Sequence, residues 1–138
     1  MYAETREFRI RYNWMKFMYA YIIVGAGSLG VAFLLAPNTT LNLLGYPAQE
    51  PLWAGVGYSV FVAFAILSIF GLRSPLKFAP VLLLSFTYKV IWLIAIFIPL
   101  LVKGQLPSYA WLTGLVFVTY VAGHLIAIPF RYLLAKGQ

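Results

Sequence analysis

The chain has 138 residues, 63% of them hydrophobic and only 9% charged, with ten Lys and Arg against three acids. A water-soluble domain carries about 25% charged residues, so this chain has too little polar surface to face water, and its solvent must be lipid. The positive balance has no soluble basic face on which to carry nucleic acid, and the absence of cysteine excludes disulfides, iron–sulfur clusters, thiolate metal sites and thiol catalysis.

Residues 1–16 form a basic, aromatic leader in which Arg6, Arg9, Arg11 and Lys16 alternate with Phe8, Ile10, Tyr12 and Trp14. That pattern suits the headgroup layer of an anionic leaflet, as a positive-inside anchor or a docking segment for a partner. The first apolar run, about 17–36, ends at Pro37 and carries a small-residue pair, Ala26 and Gly30, that lets two helices approach closely. Between the first two runs, Asn38-Thr39-Thr40 opens like a helix cap, Leu41 and Leu44 share a face, and Gly45 with Pro47 closes the segment. These features predict a short interfacial helix at about 39–45.

The second run, about 53–72, repeats small residues every four positions, Gly55, Ser59 and Ala63, and predicts a packing stripe. A basic turn, Arg73 to Lys77, leads into the third run, about 78–102. Pro80 lies in its first turn, and Pro99 near its end is a candidate kink. The fourth run covers about 109–130, and Arg131 and Lys136 mark a basic tail. The fold expected is an all-α, integral membrane four-helix bundle over 17–136. With the N-terminus inside, Arg6, Arg9, Arg11, Lys16, Arg73, Lys77, Arg131 and Lys136 all lie on the inner side, against Lys103 outside. The positive-inside rule then places the N-terminus and C-terminus in the cytoplasm.

Lys89 lies near the middle of the third run. A charge at that depth costs at least ~2.5 kcal/mol on insertion scales and marks a functional-site hypothesis. It is about 18 Å from the level of Lys77 at 1.5 Å per residue. At a comparable depth the other runs offer Ser28, Tyr58, Ser59, Thr119 and Tyr120, with His124 roughly 6 Å nearer the inner surface. Ser85, Lys89 and Trp92 share one helical stripe, and Thr113, Phe117, Tyr120 and His124 another. A midplane ligand site lined by Lys89, Tyr120, His124, Tyr58, Ser28 and Trp92 is the expectation. No Asp or Glu lies in any of the four runs. The lysine is therefore neutral, or satisfied by hydroxyls and carbonyls, or paired with an external group such as a ligand acid, a quinone oxygen, an anionic lipid or a partner subunit. A single histidine makes neither a bis-histidine haem nor a multi-histidine metal site, so no metal is expected. No catalytic set of Ser/His/Asp, paired carboxylates or phosphate loop is present.

Gly57 in a small-residue span, Gly71-Leu72-Arg73-Ser74-Pro75-Leu76-Lys77-Phe78 and Tyr88-Lys89-Val90-Ile91-Trp92 together resemble the DoxX-like group of small bacterial four-span membrane proteins. The resemblance covers the central half of the chain. It implies a bacterial inner (cytoplasmic) membrane and an association with redox partners, since some members resemble accessory subunits of quinol-linked respiratory complexes. It carries over no catalytic residue.

Three functions are open at this point. The chain is a non-catalytic accessory or interaction subunit of a larger membrane assembly, associated with other subunits or with itself and linked to a quinone. Alternatively, it binds or transports a small amphiphilic or anionic ligand at Lys89. The third option is a membrane enzyme using Lys89 or His124 as acid or base on a lipid-soluble substrate. Its remaining partners are the lipid bilayer and, through the leader, anionic headgroups.

Overall fold

Four helices are each long and apolar enough to cross a membrane: α1 (Tyr12–Leu35), α3 (Pro51–Arg73), α4 (Ala79–Val102) and α5 (Ala110–Ala127). The computed structural model describes residues 8–137, and no strand occurs among them. Two short helices complete it, α2 (Pro37–Leu44) and α6 (Phe130–Leu134). The all-α bundle read from the sequence is thus what the structure shows, and its composition marks a multi-pass membrane protein. Residues 1–7 of the leader, including Arg6, lie outside the described residues.

Prolines set most of the breaks. Ala36 is pushed out of helical geometry (φ −143°, ψ 66°) by Pro37, which then starts α2 at its first position. The Asn38–Thr40 cap expected from sequence is not the one used. Thr40 instead turns its hydroxyl back onto the carbonyls of Ala36 (2.7 Å) and Ala32 (3.1 Å), tying α2 to the end of α1. Gly45, at φ 74°, closes α2 in a left-handed cap that a side chain would strain. The loop beyond is fastened to α5 through Tyr46 and Thr113, whose hydroxyls are bonded. Pro129 likewise holds Ile128 extended (φ −73°, ψ 125°) and stops α5 at Ala127. In α4, a π-turn at Leu93–Phe97 precedes Pro99 and takes up the disturbance that a proline imposes on the preceding turn.

Helices α1 and α4 form the middle of the bundle, each packing against both α3 and α5 and touching each other. The buried side chains concentrate toward one end. At that end are Met15, Met18, Tyr19 and Ile22 of α1, Phe64 and Ser68 of α3, Ala79, Leu82, Ser85 and Lys89 of α4, and Tyr120, His124 and Ala127 of α5, whereas Phe33, Thr40 and Leu41 are buried toward the other. The first end also carries Arg9, Arg11, Arg73, Lys77 and Arg131, whereas Glu50 and Lys103 lie at the other. We call them the basic end and the far end. Tyr19 locks the basic end: its ring covers Gly71, where any Cβ would overlap it, and its hydroxyl donates to the Pro75 carbonyl at 2.8 Å.

The small residues divide differently from the expectation. On α1, Gly30 packs against α3 as the sequence suggested, with Gly27 beside it: a Cβ at Gly30 would meet Val62, Phe61 and the Tyr58 carbonyl, and one at Gly27 would meet Ala65. Gly55, Ser59 and Ala63 do not pack within the chain. Ser59 and Ala63 are exposed, and none of the described residues lies within 4 Å of a Cβ built on Gly55 or Gly57. The four-residue repeat is real, but it faces outward, because α3 turns Phe61, Val62 and Ala65 toward α1.

Candidate functional site

Lys89 is 3% exposed. Its Nζ donates to the Ser85 hydroxyl at 2.7 Å, one helical turn earlier on α4, with a longer approach of 3.4 Å to the Ser85 carbonyl. Four aromatic rings enclose the ammonium, with centroids at 4.3 Å (Tyr88), 4.5 Å (Tyr120), 5.5 Å (Phe117) and 5.9 Å (Phe64). They come from α3, α4 and α5, so the lysine ties three spans together. Ring faces are negative and attract a cation within about 6 Å, most strongly where water is excluded. Among the described residues the one acid, Glu50, is at the far end. Ring quadrupoles and one hydroxyl thus stand where a carboxylate counter-ion would.

The cage rings are themselves held. Phe117 packs edge-to-face on Tyr88 (6.0 Å) and on Trp92 (5.0 Å), and Phe64 leans on Tyr88 (5.5 Å). Tyr120 is fixed by its hydroxyl, which donates to the Tyr21 carbonyl of α1 at 2.9 Å. A π-turn widens α1 over Ile23–Gly27, and turns of this kind disturb the regular ladder of carbonyl bonds. The phenol lies against that turn over Gly25, where any side chain would overlap it.

His124 is fully buried, with Nδ1 2.6 Å from the Tyr120 carbonyl. A carbonyl only accepts, so Nδ1 carries the proton, and Nε2 of the neutral ring is left as an acceptor. Among the described residues that Nε2 has no partner, and neither does the buried hydroxyl of Ser68 on α3.

The six residues expected at one site therefore separate. Lys89, Tyr120 and His124 come together, and Trp92 backs the cage through Phe117. Tyr58 stacks on Phe33 with centroids 4.4 Å apart and rings nearly parallel, in the far half of the bundle. Ser28 bonds back onto its own helix at the Val24 and Gly25 carbonyls. Equal depth did not mean equal direction. Phe64 and Ser68 were missed, although Phe64, Ser68 and Gly71 form a buried i, i+4, i+7 stripe, the periodicity that marks the inner face of α3.

Ser28 lines a groove of about 400 Å³ between α1 and α5, with Tyr21, Gly25, Leu29, Val116 and Tyr120. This groove fits a quinone poorly. A quinone accepts hydrogen bonds at both carbonyl oxygens, and the groove hydroxyls have spent their protons internally. Tyr120 donates to Tyr21, Ser28 to Val24, and Thr119 to Val116 at 2.6 Å, so Tyr21 must donate to Thr119 at 2.7 Å. Lys89 is closed off by its rings. No group of three or more His, Cys, Asp and Glu that would hold a metal occurs among the described residues. The chain matches no family model, no curated protein and no solved structure.

Proposed function

We propose that this protein is a non-catalytic accessory subunit of a larger membrane assembly. The observation that carries the reading is the contrast between its two polar and small-residue features. The ammonium of Lys89 is satisfied by Ser85 and four rings of the same chain. By contrast, the Gly55–Ser59–Ala63 stripe of α3 faces outward, with open space above Gly55 among the described residues. In lipid, where apolar surface alone does not drive helices together, such a smooth face favours close approach of a further helix. A second copy of this chain and a different subunit both suit it.

The basic end faces the cytoplasm of a bacterial inner membrane in this reading, with both termini inside, because of the sided distribution of Lys and Arg. The likeness to DoxX-like proteins supports a respiratory, quinone-linked setting. The poor fit of the α1–α5 groove then leaves any quinone to the partner subunits. The test is gentle extraction at native expression followed by native mass spectrometry, with the variant Gly55→Leu/Ala63→Leu beside the wild type. Release of the partner by that variant, with the fold intact, is expected. A solitary wild-type chain contradicts the reading.

A second reading, a binding protein for a small anionic ligand with Lys89 as counter-ion, is favoured by the buried hydroxyl of Ser68, which has no partner among the described residues and can donate to an anion. It requires the aromatic cage to open. Lys89→Met abolishes binding under this reading and leaves the assembly untouched under the first.

A further inference from the structure

At the basic end, the start of the described chain lies against the exit of α5. Phe8 packs edge-to-face on Tyr132 with centroids 5.8 Å apart, and Arg11 donates to the Ile126 carbonyl at 3.3 Å. Together they wall a groove of about 400 Å³ that carries three arginines, Arg9, Arg11 and Arg131. The break that ends α5 lies in this groove, since Ile128 and Pro129 line it. All three arginines are exposed, and no carboxylate is among the lining residues described. The other wall is apolar: Leu125 and Ile126 belong to the exposed flank of α5, which continues directly into the membrane-spanning surface.

We propose that this groove binds one anionic phospholipid, its phosphate on Arg9, Arg11 and Arg131 and an acyl chain along Leu125 and Ile126. The groove is complementary to such a lipid on both of its walls. Guanidinium forks match phosphate oxygens in paired hydrogen bonds. A free phosphate would use only the arginines and leave the apolar wall bare, whereas a phospholipid uses both. The position is also right, since the groove lies where a span leaves the apolar layer. The site is independent of the α3 stripe, so it stands or falls separately from the accessory-subunit reading.

The experiment uses the full chain in mild detergent, titrated with phosphatidylglycerol or phosphatidylcholine and read by native mass spectrometry. One phosphatidylglycerol is retained in preference to phosphatidylcholine. Arg9→Gln/Arg131→Gln reduces that preference about thirtyfold, the equivalent of ~1 kcal/mol for each arginine near an anionic surface. Arg9→Lys/Arg131→Lys keeps part of it, and an unchanged melting temperature in phosphatidylcholine shows that the fold survives. Arg73→Gln/Lys77→Gln removes the same charge from the same end and leaves the preference intact. Equal losses in the two glutamine pairs mean diffuse surface charge and overturn the site, as does an unchanged preference in Arg9→Gln/Arg131→Gln. Displacement of the lipid by millimolar inorganic phosphate assigns the groove to a free anion and overturns the proposal as well.

Discussion

Replacing Lys89 by methionine tests whether the chain itself satisfies the buried ammonium. The substitution removes the Ser85 hydrogen bond at 2.7 Å and the attraction of the two closest rings, at 4.3 Å and 4.5 Å. A hydrogen bond to a charged group contributes ~1.5–3 kcal/mol, and each desolvated cation–ring contact adds about 1 kcal/mol. Against this stands the cost of holding an ammonium away from water without an anion, several kcal/mol even after relaxation. The two sums nearly cancel. Methionine keeps the unbranched stem and regains sulfur–aromatic contacts worth ~0.3–1.5 kcal/mol. Lys89→Met is therefore expected to be within about 1 kcal/mol of wild type, or more stable, in reversible SDS unfolding from mixed micelles. Lys89→Glu puts an unpaired anion against ring faces that repel it, and should lose at least ~3 kcal/mol. A loss above about 2 kcal/mol for Lys89→Met would mean that the ammonium has an anionic partner outside the cage, and that Ser85 and the rings do not suffice.

Four further outcomes follow from the packing and the charge layout. Gly71→Ala should destabilise by ~1–3 kcal/mol in the same unfolding assay, because the overlapping Tyr19 ring is held by its bond to Pro75 and cannot give; Gly57→Ala, over open space, should be neutral for the isolated chain. Tyr120→Phe should cost about 1 kcal/mol through loss of the bond to the Tyr21 carbonyl, and a stability equal to wild type would mean that this bond contributes nothing. Glu50 accepts from the amides of Trp53 (2.8 Å) and Leu52 (3.0 Å), and those bonds hold its carboxyl below the usual carboxylate range. Its folded-state pKa is depressed, so the stabilisation is present above the unfolded value and is lost as pH falls through the folded one; an NMR titration of the Trp53 amide should show a midpoint below that of a free glutamate side chain. Because the chain has no cysteine, single substitutions Lys77→Cys and Lys103→Cys report sidedness cleanly. An impermeant thiol reagent applied to intact cells should label the second and spare the first, and the reverse pattern would invert the proposed topology.

Apolar length made the four spans legible without a structure, since a run of about twenty apolar residues has one solution in lipid. Helix ends were less so. Proline stops α5 at Ala127 by acting on Ile128, and α1 begins within the aromatic leader, where composition alone does not separate interface from span. At the site, depth could be counted along each helix, which is why Lys89 and Tyr120 were expected together. Direction could not. Helix α3 carries two small-and-polar stripes, and the more regular one, Gly55–Ser59–Ala63, faces out while Phe64–Ser68–Gly71 faces in. That choice depends on how α1 lies against α3, a contact made by Gly27 and Gly30 that no pattern within α3 reveals. Ser28 and Tyr58 were expected beside Lys89 for the same reason, and both turn to other neighbours.

Whether this chain is an accessory subunit can be read from native mass spectrometry of the protein extracted gently from its own membranes at native expression. A complex of fixed stoichiometry is expected, with other subunits or further copies, that Gly55→Leu/Ala63→Leu releases while the fold remains intact. A monomer carrying a small anionic molecule that Lys89→Met releases would contradict it.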